Sequence, residues 1–284
     1  MIDIQDLYFG YKREGLFSSL DLKLLPGSIY GLLGKNGAGK TTLLKLISGL
    51  RFARAGQCSV FGYVSKERPA GLLEEIYFIP EEFFLPPISQ PLYEQLYAPF
   101  YPRFNATAFR SYLTEFDLKR GKKLSELSYG QKKKYLLAFG LATGCRLLLL
   151  DEPTNGLDIP SKSQFRKLLA RAITEEQIIL ISTHQVRDME NLIDPVIILD
   201  EGQIIFQQSM NEVTRRLTVQ LEQDRPDDDS VIYLDETLGG YMVVRENRGS
   251  GETRIDLETL FNSVIGNREK IETIFSSQPL ESEV

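Results

Sequence analysis

Apolar residues along this chain follow two rhythms, one suited to strands and one of period 3.6, and the two alternate. Ile2, Ile4 and Leu7 against Asp3, Gln5 and Asp6 predict a strand of the edge type over 2–8, with Tyr11 following in a polar turn. Leu20, Leu22 and Leu24 against Asp21 and Lys23 predict a second half-buried strand. Pro26-Gly27 then turns the chain into 28–33, a continuous apolar run that suits a strand buried on both faces. Short strands are predicted again at 57–61, 75–79, 146–150, 177–182 and 196–199. Between them, helices are predicted at 41–48, closed by Gly49, at 129–142, at 161–173 behind Pro160, and at 185–192. Apolar strands separated by helices imply an α/β fold with a parallel sheet covered on both faces.

Two stretches break this alternation. From Pro80 to about residue 127, five prolines (Pro86, Pro87, Pro91, Pro99 and Pro102) punctuate an aromatic-rich segment. Within it, 106–116 carries Phe109, Tyr112, Leu113 and Phe116 at helical spacing. A helical subdomain inserted into the core at about 81–145 accounts for both features. Beyond Leu217, the acidic run Asp227-Asp228-Asp229 precedes strand-like pieces at 231–234 and 241–244 and a helical stretch over 257–275. The expected division is a main unit over 1–217 and a small α+β tail over 218–284.

Composition narrows the function classes. A chain of 284 residues can bury a sizeable core, and 42% hydrophobic with 25% charged residues are globular values. The net charge of −6 argues against a surface that coats nucleic acid. Cys58 and Cys145 make neither a metal pattern nor a disulfide framework. Asp3 and Asp6 interrupt any signal peptide, and no apolar run approaches the ~20 residues of a membrane span. The expectation is a soluble cytosolic protein whose membrane role, if any, needs a partner.

The chemistry starts at 34–42, Gly34-Lys35-Asn36-Gly37-Ala38-Gly39-Lys40-Thr41-Thr42, which fits the phosphate-binding pattern G-x-x-x-x-G-K-S/T between a strand and a helix. Glycines let the backbone turn with φ > 0 and approach a phosphate, while loop N–H groups and the helix end cradle the anion. Lys40 is the candidate for the β- and γ-phosphates and the Thr41 hydroxyl for Mg²⁺. The apolar run 147–150 ends in Asp151 and Glu152, at the strand end where ligands bind in parallel α/β sheets. Asp151 is placed to hold Mg²⁺ and Glu152 to polarise an attacking water. Ser128 can cap the helix that follows, and Gly130 at its positive end offers a second anion site.

Leu127-Ser128-Tyr129-Gly130-Gln131 resembles the LSGGQ signature of ABC-type ATPases, with Tyr129 in place of the first glycine. Asn155-Gly156-Leu157-Asp158 is similar to the D-loop, SALD in its common form, and His184, the only histidine, matches the switch histidine. Tyr11 matches the aromatic residue that stacks on adenine. Where the family commonly has Gln after the strand at 76–79, this chain has Pro80-Glu81-Glu82, so Glu81 takes that place toward Mg²⁺ and water. Together with Phe100-Tyr101-Pro102-Arg103-Phe104, this variant looks most like the ABC-2 type exporters of the bacitracin-resistance and YtrB-like groups.

The resemblance covers about residues 1–215. It implies a P-loop NTPase core with N-terminal antiparallel strands, ATP and Mg²⁺ as cofactors, and ATP hydrolysis coupled to transport, with export favoured. It also implies a head-to-tail homodimer on ATP binding, in which Ser128, Gly130, Gln131 and Asp158 serve the other subunit's nucleotide. The expected partner is a separate membrane-spanning permease subunit that holds the chain on the inner face of the membrane. Phe83-Phe84-Leu85-Pro86-Pro87, apolar and barred by proline from a regular helix, is the candidate docking surface. The rival is a soluble ABC-type ATPase acting on nucleic acid or ribosomes; the coiled-coil insertions, zinc modules or paired cores usual there are missing from this sequence.

Overall fold

The computed structural model describes residues 1–276 other than Arg13, Arg120, Ser250 and Glu252. β1 (Ile2–Tyr11) and β2 (Glu14–Leu24) pair antiparallel, with Ile2 opposite Leu24 and Ile4 opposite Leu22. β1 runs further than the alternation predicts, so Tyr11 closes a strand and does not lie in a turn. β3 (Ser28–Leu33) leads into α1 (Lys40–Ile47), followed by β4 (Ala55–Val60), β5 (Tyr63–Val64), α2 (Ala70–Leu73) and β6 (Ile76–Ile79). The inserted segment folds as α3 (Gln90–Tyr97), α4 (Ala106–Glu115) and α5 (Tyr129–Ala142). The core then resumes with β7 (Leu147–Asp151), α6 (Ile159–Ala172), β8 (Ile178–Thr183) and β9 (Val196–Asp200). β10 (Gln203–Gln208) and α7 (Met210–Arg216) come next. The tail holds β11 (Leu217–Glu222), β12 (Val231–Thr237), β13 (Gly240–Glu246), α8 (Leu257–Gly266) and α9 (Arg268–Ser276).

The central sheet has the order β10-β9-β3-β8-β7-β6, and only β10 pairs antiparallel within it. Its unbroken apolar runs follow from two covered faces. Leu147 and Leu149 of β7 join α1 and the antiparallel sheet β2-β1-β4-β5 in one core cluster. Leu148 and Leu150 belong to the other cluster, with α5, α6 and the tail. β8 splits the same way, Ile178 and Leu180 against Ile179 and Ile181. At roughly 1.5–3 kcal/mol for each fully buried aliphatic side chain, this double coverage pins the strand ends on which the site is built.

In the helical subdomain, Phe139 of α5 is a hub for the rings of Tyr77, Tyr93, Tyr101, Phe104 and Phe109, with centroids 5.0–6.1 Å away. Phe109, Leu113 and Phe116 are buried as their spacing predicts. The tail sheet, in the order β11-β13-β12, shares this larger cluster through Leu217, Val244 and Ile232.

Three expectations are corrected. The stretch 185–192 is a single 3₁₀ turn, Val186–Met189, because the backbone leaves the helical region at Glu190 (ψ 142°) while Arg166 holds the Asp188 carbonyl (2.8 Å). The run 257–275 is two helices, broken at Asn267, whose φ of −145° and ψ of 63° are not helical. The core does not end at β9, since β10 adds an edge strand that the short apolar stretch Ile204-Ile205-Phe206 did not announce. Among the described residues no helix is long and apolar enough to cross a membrane.

Candidate nucleotide site

β3 ends at Leu33 and α1 starts at Lys40, and the loop between them is shaped by glycine. Gly37 and Gly39 have φ of 85° and 109°, where an L side chain is strained. A Cβ on Gly37 would meet nothing within 4 Å, so the backbone there is open to a ligand. Lys40 is buried, and its Nζ donates to the carbonyls of Gly34 (2.6 Å) and Lys35 (3.1 Å), lying across the loop. Burial lowers its pKa, against the pull of Glu152, Asp151 and Glu81. An ammonium held by two carbonyls beside three carboxylates is ready to exchange partners for a phosphate.

β7 and β8 run side by side with Asp151 opposite Ser182, so their polar ends meet. The two Asp151 carboxylate oxygens accept from Ser182 and from Thr41 Oγ1, the latter at 2.7 Å. Glu152 sits at φ 45°, a strained value for a non-glycine residue of the kind that collects at functional sites. Its Oε2 accepts from Thr183 Oγ1 (3.1 Å), and its Oε1 meets the His184 N–H (3.0 Å) and His184 Nδ1 (2.6 Å). A carboxylate has about four acceptor positions. Three are in use and fix the group, leaving one for the proton of a water.

These groups open into one cavity of about 540 Å³, lined by the loop residues Asn36, Gly37, Gly39, Lys40, Thr41 and Thr42 together with Tyr11, Glu81, Asp151, Glu152 and His184. The Tyr11 hydroxyl lies 3.0 Å from Thr42 Oγ1, and the Arg51 guanidinium lies 5.7 Å from its ring centroid. Among the described residues no cluster of three or more His, Cys, Asp and Glu could hold a metal unaided. The Thr41 hydroxyl and the Asp151 carboxylate are hard oxygen donors that suit Mg²⁺ sharing its shell with phosphate oxygens and water.

The signature residues lie outside this cavity. Ser128 accepts from the Gln131 N–H, and the Gln131 side chain returns the bond to the Ser128 N–H, a capping box that starts α5. Asp158 likewise caps α6 through the Ser161 N–H (2.9 Å), and hydrogen bonds from the Ser161 hydroxyl and N–H lower its pKa. Gly130 packs so closely on the 155–158 loop that a Cβ would lie 2.6 Å from the Gly156 carbonyl oxygen. Tyr129 is the departure with consequences: its hydroxyl donates to the Glu81 carbonyl (2.8 Å) and its ring stacks on Phe83.

Ser182 and Thr183 are supporting groups given no role by the motifs, and Asn155, quoted in the D-loop match, was given no role of its own. Hydroxyls directly before His184 at a strand end were the available sign for the first two. Lys133 was also missed, hidden in the run Lys132-Lys133-Lys134 that reads as solvated charge. It is fully buried, and desolvation pushes its pKa down to about 8 although Asp151, Glu81 and Glu152 draw it up.

Residues 17–155 match the family described as ABC transporter. The chain is 34% identical over 214 residues to the Nod factor export ATP-binding protein I of Burkholderia orbicola (strain AU 1054), covering 72% of this chain and 69% of that protein. It is 28% identical over 222 residues to the ABC transporter ATP-binding protein YtrB of Bacillus subtilis (strain 168), covering 75% and 73%. Among solved structures, one described as the ATP binding subunit of an ABC transporter superposes with a TM-score of 0.69 at 25% identity, over 76% of this chain and 92% of the other.

Proposed function

The chain belongs to the ABC transporter family as an ATP-binding subunit, and on that premise we propose that it hydrolyses ATP to drive export through a separate membrane-spanning permease. The observation that carries the reading is the convergence of Lys40, Thr41, Asp151, Glu152 and His184 on one cavity. Lys40 leaves its carbonyls for the β- and γ-phosphates, and the loop N–H groups bind the rest of the anion. Glu152, held by Thr183 and His184, takes up the proton of the attacking water with its remaining acceptor position. Thr41 and Asp151 would hold Mg²⁺, with Glu81 facing it, and the ion would neutralise charge that develops on the phosphates. His184 responds to the γ-phosphate and Tyr11 stacks on adenine.

Ser128, Gly130, Gln131 and Asp158 complete the site of a second copy, so ATP binding forms a head-to-tail homodimer. The partner's docking surface is exposed and apolar: Phe84 is 85% exposed while Phe83 and Leu85 are turned inward. A separate groove of about 410 Å³ is lined by Leu50, Leu73, Phe78 and Phe100. The chain then sits peripherally on the inner face of the membrane and has no nucleic-acid partner. Residues 1–217 form the ATPase unit with its inserted subdomain, and 218–284 an accessory domain. The test is ATP turnover by the purified chain with Mg²⁺ and with EDTA. Turnover that needs Mg²⁺ and disappears in Lys40→Ala is expected; metal-independent turnover, or full activity without Lys40, overturns the reading.

A further inference from the structure

Lys133 has no role in the mechanism above, yet it is a charged group fully buried beside the site. It is 0% exposed, and among the described residues its ammonium has one hydrogen bond, to the Asp151 carbonyl oxygen at a long 3.5 Å. A buried ammonium with three donors and one weak acceptor is destabilising unless nearby charges compensate it. The compensating charges are the carboxylates of Asp151, Glu152 and Glu81. Two of these belong to any site of this kind; the third, Glu81, stands where the family commonly has an amide.

The segment that carries Glu81 is attached to α5 at neighbouring points. Phe83 lies between two α5 residues one turn apart: Tyr129 stacks on it with centroids 5.3 Å apart, and Lys133 Nζ lies 5.5 Å from its ring centre. Tyr129 also holds the Glu81 carbonyl, and Asn155 Nδ2 donates to Glu81 Oε1 at 2.9 Å. Resting on the ATPase reading, we propose that Lys133 is a positioning residue for Glu81. Its buried ammonium offsets the carboxylate at that position and holds Phe83, so that Glu81 keeps its place at the metal and phosphate site.

The claim is a coupling between two residues, so a double-mutant cycle tests it. Lys133→Met, Glu81→Gln and the double variant are made in the full chain. Each is followed by thermal unfolding, by binding of Mn²⁺ with a non-hydrolysable ATP analogue, and by ATP turnover against Mg²⁺ concentration. Lys133→Met is expected to keep or raise the unfolding temperature, since an apolar group replaces a buried charge. It should nonetheless bind Mn²⁺ differently and turn over about tenfold more slowly, with KM for ATP within about threefold, while the double variant returns to within about threefold of Glu81→Gln alone. Additive losses in the cycle overturn the proposal. So does wild-type turnover and Mn²⁺ binding in a folded Lys133→Met. If Lys133→Met does not fold, Lys133→Gln carries the same cycle and the same two outcomes decide. A wild-type chain without Mg²⁺-dependent turnover would instead sink the ATPase reading, and the Mn²⁺ arm of the cycle would still report on the coupling.

Discussion

The strand ends around Asp151 and the first turn of α5 both carry recognised motif residues, but they are built to different states of completion. At the strand ends, Thr41 and Ser182 already donate to Asp151, Thr183 and the His184 N–H to Glu152, and Lys40 to two carbonyls of its own loop, all around one cavity. At the start of α5, Ser128 and Gln131 satisfy only their own helix, and none of the signature residues reaches the cavity. One end is a preorganised half-site; the other is a helix terminus that lies outside the cavity. On the function proposed above, this difference is why ATP would join two copies, each supplying the half that the other lacks.

The largest effect expected from this contrast is at the strand ends. Glu152→Gln should keep ATP binding, lose at least about a hundredfold in turnover, and accumulate as an ATP-bound dimer on size-exclusion chromatography. Near wild-type turnover would remove Glu152 from its role. At the α5 end, Gly130→Asp puts a side chain 2.6 Å from the Gly156 carbonyl and a charge at the anion-binding turn. Turnover should fall about tenfold or more while the monomer still binds nucleotide. Mixing Gly130→Asp with Lys40→Ala should then restore activity, because a mixed dimer holds one intact composite site. Failure of the two to complement would mean that the halves do not meet across subunits.

Phe84→Asp should leave the ATPase of the free chain unchanged and abolish co-purification with the membrane subunit, since its ring is exposed and contributes no packing. Full co-purification would move the docking surface elsewhere. The smallest effect concerns the aromatic cluster that carries the α5 end. Burial pushes the Tyr93 hydroxyl up to about 12, and those of Tyr77 and Tyr135 also upward. In the unfolded chain these tyrosines ionise near pH 10. The stability they contribute is therefore whole below about pH 10 and is lost as pH rises toward 12, which thermal unfolding from about pH 9 to 11 would show. Tyr93→Phe should flatten that slope; an unchanged slope would mean that the ring titrates freely.

Much of the nucleotide end could be read in the chain because its parts are contiguous. The glycine spacing before Lys40, the acids after 147–150 and the hydroxyls before His184 each sit at the end of a run whose burial is visible in its composition. Most central strands and α5 were legible for the same reason, since a covered face demands apolar residues at fixed intervals. The turn at 186–189 was not, because Arg166, twenty-two residues away in sequence, holds the Asp188 carbonyl where the backbone leaves the helical region. β10 was equally hidden, as an edge strand covered on few sides needs little apolar sequence.

By itself, then, the order of residues determined the sheet, the phosphate loop and the chemistry of the carboxylates, all of which are local patterns with local physical causes. Only the tertiary structure decided what Tyr129 and Lys133 do. A tyrosine in a glycine's place and a lysine among three lysines have no fixed meaning along the chain. Their meaning came from Phe83, Glu81 and Asp151 being folded against α5. A charge becomes costly, and an aromatic face becomes a clamp, only when packing removes the water around them.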